Sequence, residues 1–133
     1  MKDATEYLNH VKALIVLTPQ ITHWEIIREE AQGDVGLFRY RLTWRDGSLL
    51  EMFELFAVVD RTIRVQKYSF HWQTRNGSLI KRWDNAAHHP EVKTHPHHIH
   101  DGTELNVLPF QPVDAEAIIT LIAVSYTHLR AHE

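Results

Sequence analysis

Between His71 and His100 the chain gathers the side-chain types best suited to moving protons and gripping phosphate: His71, Arg82, Asp84, His88, His89, His95, His97, His98 and His100. An imidazole, with an unperturbed pKa of about 6.5, both donates and accepts protons near neutrality. Asn76-Gly77 is a two-residue hairpin signal, because a type I′ turn needs positive φ at both central positions. A two-residue loop there sets His71 opposite Arg82 and Ser69 opposite Asp84, all on one face. Phe70, Trp72 and Trp83 then fall on the other face, toward the core. Imidazole, guanidinium and carboxylate would be held by paired strands, which is the support a catalytic group needs, and a one-residue slip would scatter them.

This set suits metal-independent cleavage of RNA. His71 would take the proton of the 2′-hydroxyl as general base, and a loop histidine, His98 or His88, would protonate the departing 5′-oxygen. Arg82 would hold the phosphoryl oxygens, and Asp84 would orient an imidazole. His89, His97 and His100 complete the candidate catalytic set, with no metal or cofactor called for. Three other readings compete. A ladder of surface hydrogen bonds would be worth only about 0 to 1 kcal/mol per pair. A metal-dependent hydrolase could use His98 and His100, which project the same way in an extended segment, with His88 or His89 completing the ligands. No HExxH or similarly spaced metal motif supports that alternative. From another class, a non-enzymatic binding module would inhibit a host protein through an exposed sheet edge and the histidine loop.

The elements that must position these residues can be read from pattern. Asp3 followed by Glu6 is a capping-box start, and Ala4, Leu8, Val11 and Ile15 share a helical face before Pro19 ends the segment. A strand is expected over residues 21–30, closed by Gly33-Asp34-Val35-Gly36. Phe38, Tyr40, Leu42 and Trp44 alternate with Arg39, Arg41, Thr43 and Arg45, as on a half-buried strand. Asp46-Gly47 repeats the hairpin signal, with paired positions expected to put Phe38, Tyr40 and Trp44 across from Leu55, Phe53 and Leu49 on the core side and Arg39 across from Glu54 outside. Strands over 62–73 and 78–83 follow, then a polar histidine loop, AHHPEVKTHPHHIHDG, and a short sixth strand over 104–110. Asp114 is an N-cap for a closing helix carrying Ile118, Leu121 and Ile122. The fold class is therefore α+β: one domain, an antiparallel five- or six-stranded meander, with an N-terminal helix and a truncated C-terminal helix on one face. Trp44, Trp72 and Trp83 belong to its core, and His10 and His23 to its surface. Arg39, Arg41 and Arg45 form a basic stripe that Glu51 and Glu54 dilute.

The 133 residues, 44% of them hydrophobic, suffice for one ordinary core and not two. No run reaches the roughly 20 apolar residues of a membrane span, and no secretory signal opens the chain, so the expected location is the cytoplasm. With no cysteine, disulfides and thiolate metal sites are excluded. A net charge of −3 argues against nucleic-acid binding by bulk electrostatics, so any RNA contact must be local. The segment Val124–Glu133, VSYTHLRAHE, is similar to one reading frame of a common sequencing-library adapter. His128 and His132 are accordingly left out of the site, and a natural domain of residues 1–123 is expected, with 124–133 adapter-derived. A closing helix cut short there would leave an inert copy as a further alternative.

The motifs YSFHWQ (Tyr68–Gln73), NGSLIKRWDNAAHHPE (Asn76–Glu91) and HPHHIH (His95–His100) resemble the TumE-type toxins of prokaryotic type II toxin–antitoxin systems. RYRLTWRDGSLLEMFE (Arg39–Glu54) fits the same family, so the resemblance spans most of the chain to Ala123. Ala87 departs from it, standing where the family pattern DNAPHHPE carries proline. The resemblance implies a growth inhibitor silenced by a cognate antitoxin, a helix-turn-helix protein encoded beside it. RNA as substrate follows only by analogy with the commonest mode of small toxins.

Overall fold

The computed structural model describes residues 1–131, with side chains through Tyr126; His128 and His132 lie outside the described side chains. It comprises α1 (Ala4–Val16), β1 (Ile21–Gln32), β2 (Val35–Trp44), β3 (Leu49–Val59), β4 (Thr62–Gln73), β5 (Leu79–Asp84), β6 (His98–Asp101), β7 (Val107–Pro109) and α2 (Ala115–Ala131). The strands form one antiparallel sheet in the order β1 to β7, each pairing only with its sequence neighbours. Five or six strands were expected and seven are present. Residues His98–Asp101 of the expected histidine loop form β6, and the strand expected over 104–110 contracts to β7.

Both helices pack on one face. Asp3 caps α1, its Oδ1 accepting from Glu6 N at 2.9 Å, and Asp114 caps α2 by accepting from Ala117 N at 2.9 Å. Ala4, Tyr7, Leu8, Val11 and Ile15 of α1, with Ile118, Ile119 and Ile122 of α2, cover Phe38, Tyr40, Leu42, Leu50, Met52, Phe56, Phe70 and Trp83. Trp44 and Trp72 are buried on the same side. The domain boundary expected at Ala123 falls within α2, and Tyr126 beyond it stacks on Trp44 with ring centroids 5.8 Å apart.

The two hairpin signals both form turns, though neither is the two-residue kind. At each, the glycine N–H bonds the carbonyl three residues back, Trp44 or Thr74, and the strands close through Trp44 N to Ser48 O at 2.9 Å and Thr74 N to Ser78 O at 2.8 Å. Gly47 and Gly77 take φ +86° and +89°, so each loop has three residues ending in a left-handed glycine. In the first hairpin this moves the pairing by one: Arg39 meets Phe53 and Glu54 meets Phe38. Glu54 therefore enters the core, while Phe53 and Leu55 turn to the open face, reversing the arrangement expected from a two-residue turn. In the second hairpin a bulge after Trp72 leaves Ile80 out of the ladder, and the pairs Trp72–Lys81, His71–Arg82, Phe70–Trp83 and Ser69–Asp84 are restored.

Buried Glu54 ties three elements together. It accepts from the Tyr7 hydroxyl of α1 at 2.6 Å and from Ala115 N at the start of α2 at 2.6 Å. Burial pushes its carboxyl up to about 8, against the pull of those two hydrogen bonds.

Candidate functional site

On the face away from the helices, one row of paired residues crosses six strands: Glu25, Arg41, Glu51, His71, Arg82 and His100. Arg41 bridges Glu25 at 3.4 Å and Glu51 at 3.1 Å, and Arg39 reaches Glu51 at 3.4 Å. The basic stripe of β2 is thus neutralised largely by Glu51; Glu54, expected to share that work, is in the core. The neighbouring row runs Arg39, Phe53, Ser69, Asp84, His98.

The two rows converge at their β5–β6 end. Asp84 Oδ1 lies 3.0 Å from His98 Nε2, and Asp84 Oδ2 lies 3.1 Å from Arg82 Nε and 3.8 Å from His100 Nε2. Ala86 N also donates to Asp84 Oδ1 at 3.0 Å. The Nε2 atoms of His98 and His100 are 3.1 Å apart, and an Arg82 terminal nitrogen stands 3.1 Å from His100 Nε2. The other terminal nitrogen of Arg82 pairs with Glu104 at 2.7 Å. Each ring is fixed from behind: His98 Nδ1 is 2.8 Å from Pro96 O and His100 Nδ1 is 2.8 Å from Glu104 O. A carbonyl only accepts, so both Nδ1 atoms carry hydrogen. Burial, with the Arg82 charge adding to it, holds the His100 imidazole below its ordinary value; the Glu104 carbonyl, Asp84 and Glu104 carboxylate pull the other way.

His88 and His89 lean over this cluster, their rings 5.9 and 5.0 Å from that of His98, and His89 5.5 Å from that of His100. They follow Asp84 on the short connection that folds back over the open face. Two sets of three donors are close enough to share one cation, Asp84 with His98 and His100 and His88 with His89 and His98, each with ligand atoms within 4.8 Å of one another.

Beside the cluster is an open cavity of about 480 Å³ lined by Glu51, Lys67, Ser69, His71, Arg82 and Asp84 among others. His71 stands in it next to Arg82, as the pairing requires. Asp84 and Arg82 are common to the cavity and the cluster, so the two form one continuous site.

Seven of the eight sequence candidates therefore meet: His71, Arg82, Asp84, His88, His89, His98 and His100. His97 does not. It stacks on Tyr68 with centroids 5.8 Å apart, its Nδ1 2.9 Å from the Tyr68 hydroxyl, and lines a hollow with Val65, Val113 and Asp114 near α2. In an extended chain His97 must point opposite to His98. His95 bonds the His89 carbonyl at 3.2 Å at the exposed rim. The side chain of His98 is 0% exposed, so it can act on a substrate only through its neighbours. Two residues of the site escaped the sequence reasoning. Glu104 neutralises Arg82 from across a turn whose return no pattern announced, and Lys67 enters the cavity by standing two strand positions before Ser69.

Among the described residues no helix is long and apolar enough to cross a membrane. No match was found among curated proteins or among solved structures. A family model described as Toxin TumE matches residues 11–129.

Proposed function

Because the chain belongs to the TumE toxin family, we propose that it is the toxin of a type II toxin–antitoxin pair and arrests growth in the cytoplasm by cutting RNA at the joined cavity and histidine cluster. Its partner is a cognate antitoxin of the helix-turn-helix class. The observation that carries this reading is that Asp84 and Arg82 belong at once to the buried imidazole cluster and to the open cavity holding His71. A substrate in the cavity meets a general base, a guanidinium and, through Asp84, a set of further imidazoles.

In this reading Lys67 and the unengaged N–H groups of Arg82 hold the phosphodiester, a local recognition that needs no overall positive charge. His71 takes the proton of the 2′-hydroxyl, whose oxygen bonds to phosphorus as the bond to the 5′-oxygen breaks. His88, exposed above the cluster, returns a proton to that departing oxygen. Two positioned imidazoles of this kind each contribute about 10²- to 10⁴-fold. Asp84, His98 and His100 are positioning residues that fix Arg82 and the connection carrying His88.

The test is inducible expression of His71→Ala, Arg82→Ala and His88→Ala beside the unmodified chain, followed through growth and through RNA cutting by the purified proteins. Loss of both activities in all three is expected, with the far-UV spectrum unchanged. Growth arrest that persists in His71→Ala and Arg82→Ala removes the assignment, and the exposed His88→Ala keeps the test decisive should Arg82→Ala unfold.

A further inference from the structure

We propose that Asp84, His98 and His100 bind one divalent transition-metal cation of the zinc class through the Asp84 carboxylate and the two Nε2 atoms. This goes beyond RNA cutting, and it rests on the placement of donor atoms alone.

With Nδ1 of both rings engaged by the carbonyls of Pro96 and Glu104, a neutral His98 and a neutral His100 each aim a lone pair inward from Nε2. These meet a carboxylate. Three electron-rich groups thus face one another: His98 Nε2 lies 3.0 Å from Asp84 Oδ1, His100 Nε2 lies 3.8 Å from Asp84 Oδ2, and the two Nε2 atoms are 3.1 Å apart. Arg82 answers only part of that concentration, through its contacts to Asp84 Oδ2 and His100 Nε2 at 3.1 Å each. With both rings neutral, the contacts of His98 Nε2 with Asp84 Oδ1 and with His100 Nε2 lie between atoms of like polarity, and either a proton on Nε2 or a metal ion among the three groups resolves them.

A metal ion meets three separate features of the arrangement. Ligands about 2.0–2.1 Å from a tetrahedral zinc ion lie ~3.4 Å from one another, and the separation of the two Nε2 atoms, with that of each from the Asp84 oxygen it faces, brackets that value. Imidazoles that ligate metal almost always donate their other N–H to a carbonyl or carboxylate, and both rings do so. Third, a further imidazole stands beside the site: His89, its Nδ1 3.1 Å from Glu91 Oε1, has its ring 5.0 and 5.5 Å from those of His98 and His100. Two imidazoles and one carboxylate, with no sulfur, select zinc, iron(II), cobalt or nickel over calcium or magnesium. Binding requires the Arg82 guanidinium to give up its contact with His100 Nε2 and keep those with Asp84 and Glu104.

The full chain, treated with chelator and dialysed, is titrated with Co²⁺ and then Zn²⁺. The expected result is one equivalent of Co²⁺ with visible ligand-field absorption, displaced by one equivalent of Zn²⁺. His98→Ala and His100→Ala should each weaken binding at least tenfold, whereas His95→Ala, in the same loop but outside the cluster, should leave it unchanged. Absence of stoichiometric binding overturns the proposal, as does affinity that disappears with His95→Ala and survives His100→Ala, the mark of adventitious chelation by a histidine-rich loop. Should the cluster variants fail to fold, X-ray absorption of the zinc-loaded unmodified chain decides: imidazole scattering with a carboxylate oxygen supports the site, and oxygen ligands alone overturn it. RNA cutting is read on the same samples. Metal binding without cutting removes the proposed function and keeps the cation; cutting by a protein that binds no Co²⁺ does the reverse.

Discussion

Glu54 in β3 and Asp84 in β5 are 0% and 6% exposed, one on each face of the same sheet. Glu54 looks toward the helices and has only neutral partners, a tyrosine hydroxyl and a backbone N–H. With no cation beside it, burial governs, and its carboxyl is driven up to about 8. Asp84 has a guanidinium and two imidazoles within 3.8 Å and a cavity on its open side. A carboxylate enclosed by neutral donors serves as a knot between α1, β3 and α2, whereas one ringed by titratable and cationic groups with access to solvent can take part in chemistry. Burial alone does not separate the two; their partners do.

The same isosteric change at both positions should split them. Asp84→Asn removes the charge that Arg82 and His98 face, and RNA cutting by the folded variant is expected to fall by about 10²- to 10⁴-fold, with calorimetry separating that loss from any fall in the thermal midpoint. Equal loss of cutting in Glu54→Gln would erase the distinction. At Glu54 the larger effect belongs to truncation: Glu54→Ala leaves the Tyr7 hydroxyl and Ala115 N–H buried without acceptors, at a cost of about 3 kcal/mol in denaturant unfolding.

Glu54→Gln sharpens the contrast through pH. Between the ordinary carboxylate range and about 8 the folded chain holds a proton on Glu54 that the unfolded chain has released. Stability from this group is therefore full at acid pH, falls as pH rises through that window and levels off above about 8, by on the order of a few kcal/mol. The difference in thermal midpoint between the unmodified chain and Glu54→Gln, measured from pH 5 to 9, should narrow or reverse accordingly, and a pH-independent difference would contradict the assignment. The smallest effect expected is at His97. His97→Ala gives up a stack and a hydrogen bond to Tyr68 worth roughly 1 kcal/mol and should leave RNA cutting intact, which an activity assay on the folded variant checks.

The α+β class, both helix starts and the core tryptophans were legible because each depends on local pattern: caps, a helical stripe, alternation along strands. The opposition of His71 and Arg82 was legible too, although for an incomplete reason. Asn-Gly and Asp-Gly signal that a glycine will take positive φ but not how many residues the loop contains, and both hairpins use three. In β4–β5 the bulge at Ile80 cancels the extra residue; in β2–β3 nothing does, so Glu54 and Phe53 exchange faces. No pattern in LIKRWD marks Ile80 as the bulged position. β6 was hidden because histidine at alternate positions reads as a polar loop, while here His98 and His100 bury their rings against Asp84 and pair their backbone with β5. The assembly of the site depends on that pairing, a contact between segments whose polarity conceals their burial.

The strictly sequential order of the sheet also bears on how the protein comes into being. Every strand pairs with the one before it, so a growing polypeptide can add rows one by one as it leaves the ribosome. Arg82 and Asp84 emerge before His98 and His100, and the N-terminus of α2 that anchors Glu54 comes later still. The nascent chain thus has most of its scaffold before it has a complete cluster.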